Sequence, residues 1–451
     1  MNLSFDTVPF ANFITREGDR LFDGQEEFRF ISINIPNLHV NEDPLPHWHR
    51  VDAWEIENAF KTIRLMEGRA TRIYTFSIRG GLRPGSDGIA HIYGPNSYDE
   101  QLFCDLDLVL ALAAKHGVRV IIPFIDQWPW FGGIEHFAAF FNKSPKEFWI
   151  DPEIRQAFKN FISFVINRTN TVTGQPYKED KAILAWETGN ELDSPDEWIS
   201  DIVSHIRSLE VKQLILDGRY GVSPASVENP AIDIVSNHYY IDRGTDFIAR
   251  TTADRNLARG KKAFLVGEFG HSKAEVMSEL LDEVVLNGTT GAMAWSLRYH
   301  NKDGGFYYQG NPALGENHCM NWPGFSSRPG EREKMSSLRE HAFAIQGKAV
   351  EPNPIPESPE LLPIQSPSQI AWRGSAGAAF YTVERAEHPS GPWAVIAEEV
   401  HEHGLKYMPF SDKPPYPAAY FYRMCAGNES GLSKPSNVQT VYYKTQGVET
   451  A

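Results

Sequence analysis

Short apolar runs alternate with amphipathic helical stretches along most of the chain. The runs predict eight strands, at 28–33, 70–76, 118–124, 182–187, 213–218, 233–239, 263–269 and 291–297. The intervening stretches repeat their apolar residues with helical spacing, for example over 52–66, 105–117 and 152–169. Strands that are apolar throughout are typical of parallel sheets covered on both faces. The pattern therefore predicts an α/β fold, a (β/α)8 TIM barrel. An open doubly wound sheet is the alternative, but no glycine-rich phosphate turn follows the first strand.

A different pattern begins after residue 348. Residues 349–363 contain five prolines, which fix φ and remove backbone donors, so they predict a semi-rigid linker. Short alternating segments follow, such as QIAWRG, AFYTVERAE and AYFYRMCAGN, and they predict a small β-sandwich. We therefore divide the chain into a barrel domain at 1–348, a linker at 349–357 and a β-sandwich at 358–451. The early Trp372, the tyrosine-rich late strand and the final NVQTV resemble a fibronectin type III domain.

Two of the predicted strands lead to a glutamate. The string AILAWETGNE ends at Glu191, and the string KKAFLVGEFG contains Glu268. Active sites of TIM barrels lie at the C-terminal ends of the strands, so both carboxylates are expected at one site. A pair of carboxylates suits hydrolysis of a glycosidic bond, in which one is the acid/base and the other the nucleophile. Two ordinary surface glutamates are the alternative, which the polar residues at other strand ends disfavour.

The surroundings of Glu191 suit a proton donor. It follows Trp186 and Asn190, a setting that is partly apolar and partly hydrogen-bonding, and a proton donor needs a raised pKa. Asn190 is a candidate to hold the 2-hydroxyl of a sugar. Glu187 lies earlier in the same string, inside the strand, and we expect it to serve the barrel interior.

Glu268 must be ionised to act as a nucleophile. Arg72 in the second strand and Tyr240 beyond the sixth are candidates to hydrogen-bond Glu268 and keep it charged. The spacing of His238 and Tyr240 places both on one side of an extended chain. Trp295, in the eighth strand, is a candidate floor under the sugar, although a tryptophan of the barrel core has the same sequence signal.

Two aromatic loops accompany these residues. IDQWPWFGGI follows the third strand and includes Trp128, and a long loop from Arg298 to about Phe325 follows the eighth strand. Long loops in compact domains are usually functional. Both either wall a cleft for sugar units or pack over the barrel.

Composition and charge favour a carbohydrate ligand over a nucleic acid. Lys and Arg number 43 against 58 Asp and Glu, a net charge of −15, which repels phosphate backbones. Eleven Trp and 17 Tyr suit stacking on sugar rings, although part of them must form the core. We find no membrane span or signal peptide, so the chain is either a mature protein or cytosolic. Three cysteines predict neither a disulfide framework nor a zinc site. The strings HWH (47–49) and HEH (401–403) lack a third metal ligand, and we expect both to be solvated.

Three strings carry a family resemblance: HGVRVIIPFIDQWPWFGGI from His116, AILAWETGNEL from Ala182, and AFLVGEFG from Ala263. With the His-x-Tyr of IDIVSNHYY, they resemble glycoside hydrolase family 5 over about residues 10–345, most of all the endo-β-1,4-mannanases. The resemblance implies Glu191 as acid/base and Glu268 as nucleophile, with no metal or organic cofactor. It also implies a cleft position for Trp128. His116 matches a histidine of the family, but it precedes the third strand, so we expect it to be structural. The residues that it places around the −1 sugar are Arg72, Asn190, His238, Tyr240 and Trp295.

The expected function is therefore that of a retaining enzyme which cleaves β-1,4-mannan or a related plant polysaccharide by double displacement. A β-glucanase, an exo-β-mannosidase of the same clan and a non-catalytic carbohydrate-binding barrel remain alternatives. The segment Asn34-Ile35-Pro36-Asn37 and the loop SLRYHNKDGGFYYQ depart from the mannanase pattern, so the sugar and endo or exo action stay open. We expect a monomer that binds polysaccharide or oligosaccharide and is secreted, periplasmic or at the cell surface. The C-terminal module is expected to be a spacer or a packing module, and its removal is expected to leave activity.

Overall fold

Eight parallel strands form a nearly closed barrel. The computed structural model describes residues 10–43, 48–80, 89–240, 246–309, 319–324, 328, 330–402 and 409–443. The barrel strands are β1 (Phe30–Ile33), β2 (Ala70–Arg72), β3 (Arg119–Pro123), β4 (Ile183–Glu187), β5 (Leu214–Asp217), β6 (Ile234–Tyr240), β7 (Ala263–Gly270) and β8 (Gly291–Ala294). Pairing runs in sequence from β2 to β8, and β8 pairs with β1. The barrel is open only between β1 and β2, which are the two ends of the described sheet. Just after β1, the Ile35 N–H donates to the Arg72 carbonyl at 3.0 Å across this opening. The predicted TIM barrel is thus confirmed.

Helices cover the outside of this barrel, and several of them begin at a side-chain cap. Asp52 accepts from the Trp54 N–H and Glu55 bonds back to the Asp52 N–H, which is a capping box. The helix predicted at 105–117 starts earlier than expected because Asp99 caps it at residue 100. The helices are Ala53–Leu65, Glu100–His116, Ile134–Ala139, Glu147–Ile150, Pro152–Ile166, Asp196–Ser208, Pro224–Glu228, Phe247–Ala258, Ala274–Leu286 and Glu331–Ala344, with a 3-10 turn at Tyr177–Glu179. In the part of the chain that is described, no helix combines the length and the apolar character that crossing a membrane requires.

A small three-stranded antiparallel sheet closes the end of the barrel where the strands begin. Its strands are Ile14–Glu17, Arg20–Asp23 and Glu26–Glu27. Ile14 and Leu21 pack with Phe30, Ala70 and other apolar residues of the barrel interior. This end is therefore filled by side chains, and the opposite end, where the strands finish, remains for a site.

The C-terminal part is rich in β structure, as predicted. Strands Glu360–Leu361 and Trp372–Arg373 form one antiparallel pair. In the second sheet, Phe380–Ala386 lies between Ala394–Val400 and Ala418–Asn428, and the latter also pairs with Gly431–Leu432 and Gln439–Tyr443. Trp372, 1% exposed, and Tyr381 are in the core between the sheets. The domain boundaries and the fibronectin type III likeness stay predictions.

The expectation that the HEH string is solvated is wrong for its glutamate. Glu402 is 8% exposed and lies against the barrel. Its Oε2 accepts from the Tyr381 hydroxyl at 2.8 Å and is 3.1 Å from Nε2 of His300, which follows β8. A side chain at Gly374 would meet the His300 ring at 2.3 Å, so the two parts approach closely. These contacts favour a packing module over a spacer. The HWH string differs from expectation too, because Trp48 is buried.

We expect Glu402→Ala to lower the free energy of unfolding by about 3 kcal/mol, because His300 and Tyr381 would lose a buried hydrogen-bond partner. Urea unfolding of the full chain measures the change. Glu398→Ala in the strand just before Glu402 is the matched control, because Glu398 is exposed, and should change stability by less than about 0.5 kcal/mol. Equal effects of the two substitutions would show that the contact with His300 is not stabilising.

Candidate active site

Glu191 and Glu268 lie beside each other at the end of the barrel where the strands finish. Glu268 is within β7, and Glu191 follows β4 with a left-handed φ of 52°. That conformation is rare for a residue with a side chain and is frequent at functional sites. Ligand atoms of Glu191, His238 and Glu268 all lie within 4.8 Å of one another. The two carboxyl groups predicted at one site are therefore brought together and buried, at 6% and 5% exposure.

The backbone before Glu191 passes unusually close to the neighbouring strand. A Cβ on Gly218, directly after β5, would lie 1.7 Å from the Gly189 carbonyl oxygen. A side chain at Gly218 is thus excluded, and the close approach lets the Asn190 and Glu191 side chains reach the barrel axis.

Glu268 is held by three side chains. Arg72 Nη1 donates to Oε1 at 2.9 Å, and the Tyr240 hydroxyl donates to Oε2 at 2.7 Å. Nδ1 of His238 lies 3.4 Å from Oε2. Burial raises the pKa of Glu268, whereas His238, Arg72 and Tyr240 act to lower it and Glu191 adds to the increase. The carboxylate therefore depends on these donors to remain ionised.

Arg72 is shared between two carboxylates. It is 1% exposed, and its Nε donates to Glu187 at 2.6 Å on the side away from Glu268. Its Nη2 donates to Oδ1 of Asn190 at 2.8 Å. Burial lowers the pKa of Arg72, but Glu187 and Glu268 outweigh this effect and raise it, so the guanidinium stays charged. Glu187 therefore serves the interior as expected, as the partner that orients Arg72.

Each oxygen of Glu191 takes part in a hydrogen bond. His238 Nδ1 is 2.9 Å from Oε1, and the indole N–H of Trp128 donates to Oε2 at 2.6 Å. Burial lowers the pKa of His238, but Glu268 and Glu191 reverse this and raise it overall. Trp128 is 48% exposed, so it contacts both solvent and the candidate acid.

Two partners of Asn190 were missed by the sequence analysis. Its Nδ2 donates to the Tyr74 hydroxyl at 3.0 Å and to Asp126 Oδ1 at 2.9 Å. Tyr74 in turn donates to Asp126 Oδ2 at 2.9 Å. Burial raises the pKa of Asp126 to about 7, although the bond from Asn190 acts to lower it. Tyr74 lies just beyond β2 and Asp126 just beyond β3. These positions at strand ends were the sequence signal that could have identified both as site residues. The contact of Asn190 with a sugar hydroxyl stays a prediction.

These groups line a cavity of about 430 Å³. Trp295 forms part of its wall, with ring centroids 5.7 Å from Tyr74 and 5.9 Å from Trp130. Six of the predicted site residues line the cavity directly, whereas Arg72 and His238 support the carboxylates from below. The lining residues are Tyr74, Trp128, Trp130, Asn190, Glu191, Tyr240, Glu268, His271, Trp295 and Gln309. His271 and Gln309 had no sequence signal beyond their place in loops after β7 and β8.

The two aromatic loops serve both purposes that the sequence allowed. In the loop after β3, Trp128 and Trp130 line the cavity, while Phe131 is buried at 1% exposure. In the loop after β8, Tyr299 and Tyr307 pack into the main core. Residues 310–318 and 325–327 of that loop lie outside the described residues. His116 lies on the helix before β3, with Nε2 at 3.3 Å from Glu57.

The chain is similar to known proteins in sequence. Residues 13–248 match the family model described as GH family 5 beta-mannosidase-like, a range that includes Glu191 and His238 and ends before Glu268. The chain is 31% identical to mannan endo-1,4-beta-mannosidase 7 of Arabidopsis thaliana over 222 residues, which covers 42% of this chain and 50% of that protein. It is 32% identical to mannan endo-1,4-beta-mannosidase 1 of Oryza sativa subsp. japonica over 195 residues, which covers 40% of this chain and 43% of that protein. The chain thus spans about half the length of the curated relatives it matches.

Solved structures share the fold at low sequence identity. The endo-beta-1,4-mannanase from Thermotoga petrophila has a TM-score of 0.58 at 18% identity, covering 93% of this chain and 98% of that one. A family 5 mannosidase from Rhizomucor miehei has a TM-score of 0.60 at 17% identity, with 75% and 99% covered. Because the family model matches more than half of the residues, the chain belongs to glycoside hydrolase family 5, in its β-mannosidase-like group.

Proposed function

We propose that this protein is a retaining β-glycoside hydrolase that cleaves β-1,4-mannan or a related plant polysaccharide, with Glu191 as acid/base and Glu268 as nucleophile. The observation that carries the proposal is the approach of oxygen atoms of the two buried carboxyl groups to within 4.8 Å. Retaining enzymes hold their carboxyl groups about 5–5.5 Å apart, whereas inverting enzymes need about 6.5–9.5 Å to admit a water molecule. The short separation favours double displacement.

In the first step, the Glu268 carboxylate attacks the anomeric carbon while Glu191 gives its proton to the departing glycosidic oxygen. An ester between Glu268 and the sugar results, and the shortened chain leaves as an alcohol. In the second step, Glu191 takes a proton from water, and the water oxygen attacks the same carbon and releases Glu268. The net result is hydrolysis with the β configuration kept.

The supporting residues match the needs of each step. Arg72 and Tyr240 each donate to one oxygen of Glu268, which favours the carboxylate form at the cavity wall. The aromatic rings of Trp130 and Trp295 offer flat apolar surfaces to the faces of a sugar ring. Mannan as the substrate is supported by the family group and by the names of the relatives.

The deciding experiment measures sugar release from mannan, glucomannan, cellulose and xylan, and from aryl β-mannosides. We expect release from mannan and glucomannan, and NMR of the first product should show the β anomer. Long fragments indicate endo action, and mannose alone indicates an exo-β-mannosidase. Preference for cellulose would identify a β-glucanase. Failure on every substrate, together with mannan binding, would identify a carbohydrate-binding barrel, and an α anomer would refute the retaining mechanism.

We expect Tyr240→Phe to move the acid limb of kcat/KM to higher pH, because Glu268 loses a donor that lowers its pKa. Glu268 reacts when ionised, so a higher pKa means that activity is lost earlier as the pH falls. A pH profile of kcat/KM measures the shift, which we expect to be about one unit. Tyr239→Phe is the matched control, because the Tyr239 hydroxyl donates to Asp254 and not to Glu268. An unmoved acid limb would contradict the assignment of that limb to Glu268.

A further inference from the structure

The candidate acid is held in a form that suits the second step of the reaction and hinders the first. Oε2 of Glu191 accepts from the Trp128 indole N–H at 2.6 Å, and Oε1 is hydrogen-bonded to His238 Nδ1 at 2.9 Å. Hydrogen bonds that donate to a carboxylate stabilise its ionised form. Protonating the glycosidic oxygen requires the neutral carboxylic acid, with its O–H directed at the leaving group. The Trp128 N–H must therefore move away from Oε2 before that oxygen can give a proton in the first step.

Trp128 and His238 differ in how freely their side chains can move. His238 lies within β6, is 5% exposed and also reaches Glu268. Trp128 lies in the loop between β3 and the helix Ile134–Ala139, and nearly half of its surface is exposed. Rotation of its indole would leave the barrel unchanged, whereas His238 is fixed by the strand that carries it.

Trp128 also lies on the side of the cavity that the leaving group occupies. The glycosidic oxygen must come within hydrogen-bond reach of Glu191, and the departing sugar follows directly behind that oxygen. Since the Trp128 N–H is 2.6 Å from Glu191 Oε2, a sugar placed there competes for the same oxygen. Binding of the leaving group and release of the indole are therefore coupled by contact.

We propose that Trp128 is a positioning residue that holds Glu191 as a carboxylate in the empty site and releases it when the leaving-group sugar binds. This inference rests on the proposed function, because it gives Glu191 the role of acid/base. The release transfers no atom, because the indole keeps its proton and only its hydrogen bond to Glu191 breaks. Glu191 can then donate a proton only when a sugar occupies the leaving-group position. In the empty site, Glu191 stays ionised.

The other groups around Glu191 are unchanged by the release. They come from four barrel positions and remain in both states, so a shift caused by removing the indole N–H reports on Trp128. These groups are Tyr74 after β2, Asp126 after β3, His238 on β6 and Glu268 on β7, with Arg72 behind Glu268.

The test is the basic limb of the pH profile in Trp128→Phe, which removes the N–H and keeps an aromatic ring. The profile of kcat/KM reports the free enzyme, and that of kcat reports the enzyme–substrate complex. In the wild type, we expect the basic limb of kcat at higher pH than that of kcat/KM. In Trp128→Phe, the apparent pKa of the basic limb of kcat/KM should increase by about one unit. It should then equal the apparent pKa of the basic limb of kcat, which should not change.

Trp130→Phe is the matched control, because Trp130 lines the same cavity but is not the donor to Glu191. Its two basic limbs should keep the separation seen in the wild type, whatever the change in rate. Equal limbs in the wild type, or an unmoved kcat/KM limb in Trp128→Phe, would overturn the inference. A wild type inactive on all β-mannosides would instead refute the proposed function.

A second measurement does not depend on turnover. In Glu268→Gln labelled with ¹⁵N, the indole signal of Trp128 is identified by its loss in the additional Trp128→Phe variant. Saturation with mannobiose, judged by the other indole signals, should shift this signal away from its hydrogen-bonded position. An unchanged Trp128 signal with bound mannobiose would show that the indole stays on Glu191.

Discussion

Replacing Glu268 by glutamine is expected to reduce turnover by roughly 10⁴- to 10⁶-fold on every substrate, because an amide cannot form the glycosyl ester. An activated leaving group does not compensate, since the attack on the anomeric carbon is itself lost. Glutamine keeps the volume of the side chain. Its amide oxygen can accept from Arg72 while its NH2 donates to the Tyr240 hydroxyl oxygen, so the fold should persist. Rates on mannan and on an aryl β-mannoside measure the loss.

Glu279→Gln is the matched control for this change. Glu279 is exposed on the helix Ala274–Leu286 that follows β7, so the substitution removes a charge at the surface and should leave the rate unchanged. If Glu268→Gln kept more than about one hundredth of the wild-type rate, Glu268 would not be the nucleophile.

Replacing Glu191 by alanine is expected to have an effect that depends on the leaving group. On mannan, where the departing oxygen needs a proton, we expect a loss of about 10²- to 10⁴-fold. On an aryl β-mannoside with an acidic phenol, the first step should proceed nearly unimpaired. The second step lacks its base, so the glycosyl ester on Glu268 should accumulate.

A rapid burst of phenol, equal in amount to the enzyme and followed by a slow phase, would report this accumulation. Mass spectrometry of the intact protein detects the attached sugar. Azide should restore the slow phase, because a small anion attacks the ester without a base. Equal losses on mannan and on the aryl substrate, with no burst, would remove Glu191 from the acid/base role.

Arg72 and Asn190 join the carboxylates of Glu268, Glu187 and Asp126 in a single hydrogen-bonded unit. Arg72 contacts Glu187, Glu268 and Asn190, and Asn190 continues the chain to Asp126. Effects of substitutions within such a unit do not add. A double variant of Asn190 and Arg72 should therefore lose less activity than the product of the two single losses.

The sequence by itself was sufficient for the barrel strands and for the two glutamates. Each strand is a local run of apolar residues: β4 is apolar up to Glu187, shortly before Glu191, and β7 is apolar up to Gly267, directly before Glu268. Side-chain alternation is also local. It led to the expectation that His238 and Tyr240 share one side of β6, and both contact Glu268. Short-range periodicity is enough for such features because neighbouring residues in the chain determine them.

The contacts that give each residue its role were decided only by the tertiary structure. Arg72 and Glu268 are 196 positions apart, and Trp128 and Glu191 are 63 apart. No local pattern encodes that the Trp128 indole donates to Glu191, or that Asp126 orients Asn190. These contacts exist because closure of the barrel brings the ends of β2, β3, β4 and β7 around one axis.

Burial at the contact between the two parts of the chain is a second feature of this kind. Glu402 lies in a polar string with the sequence signature of a solvated segment, yet it is buried against His300, 102 positions away. Hydrophobic periodicity describes how an element packs within its own domain, and it carries no information about a polar side chain covered by another domain. The strands and the catalytic candidates thus follow from local sequence, whereas hydrogen-bond partners and covered polar groups follow from long-range packing.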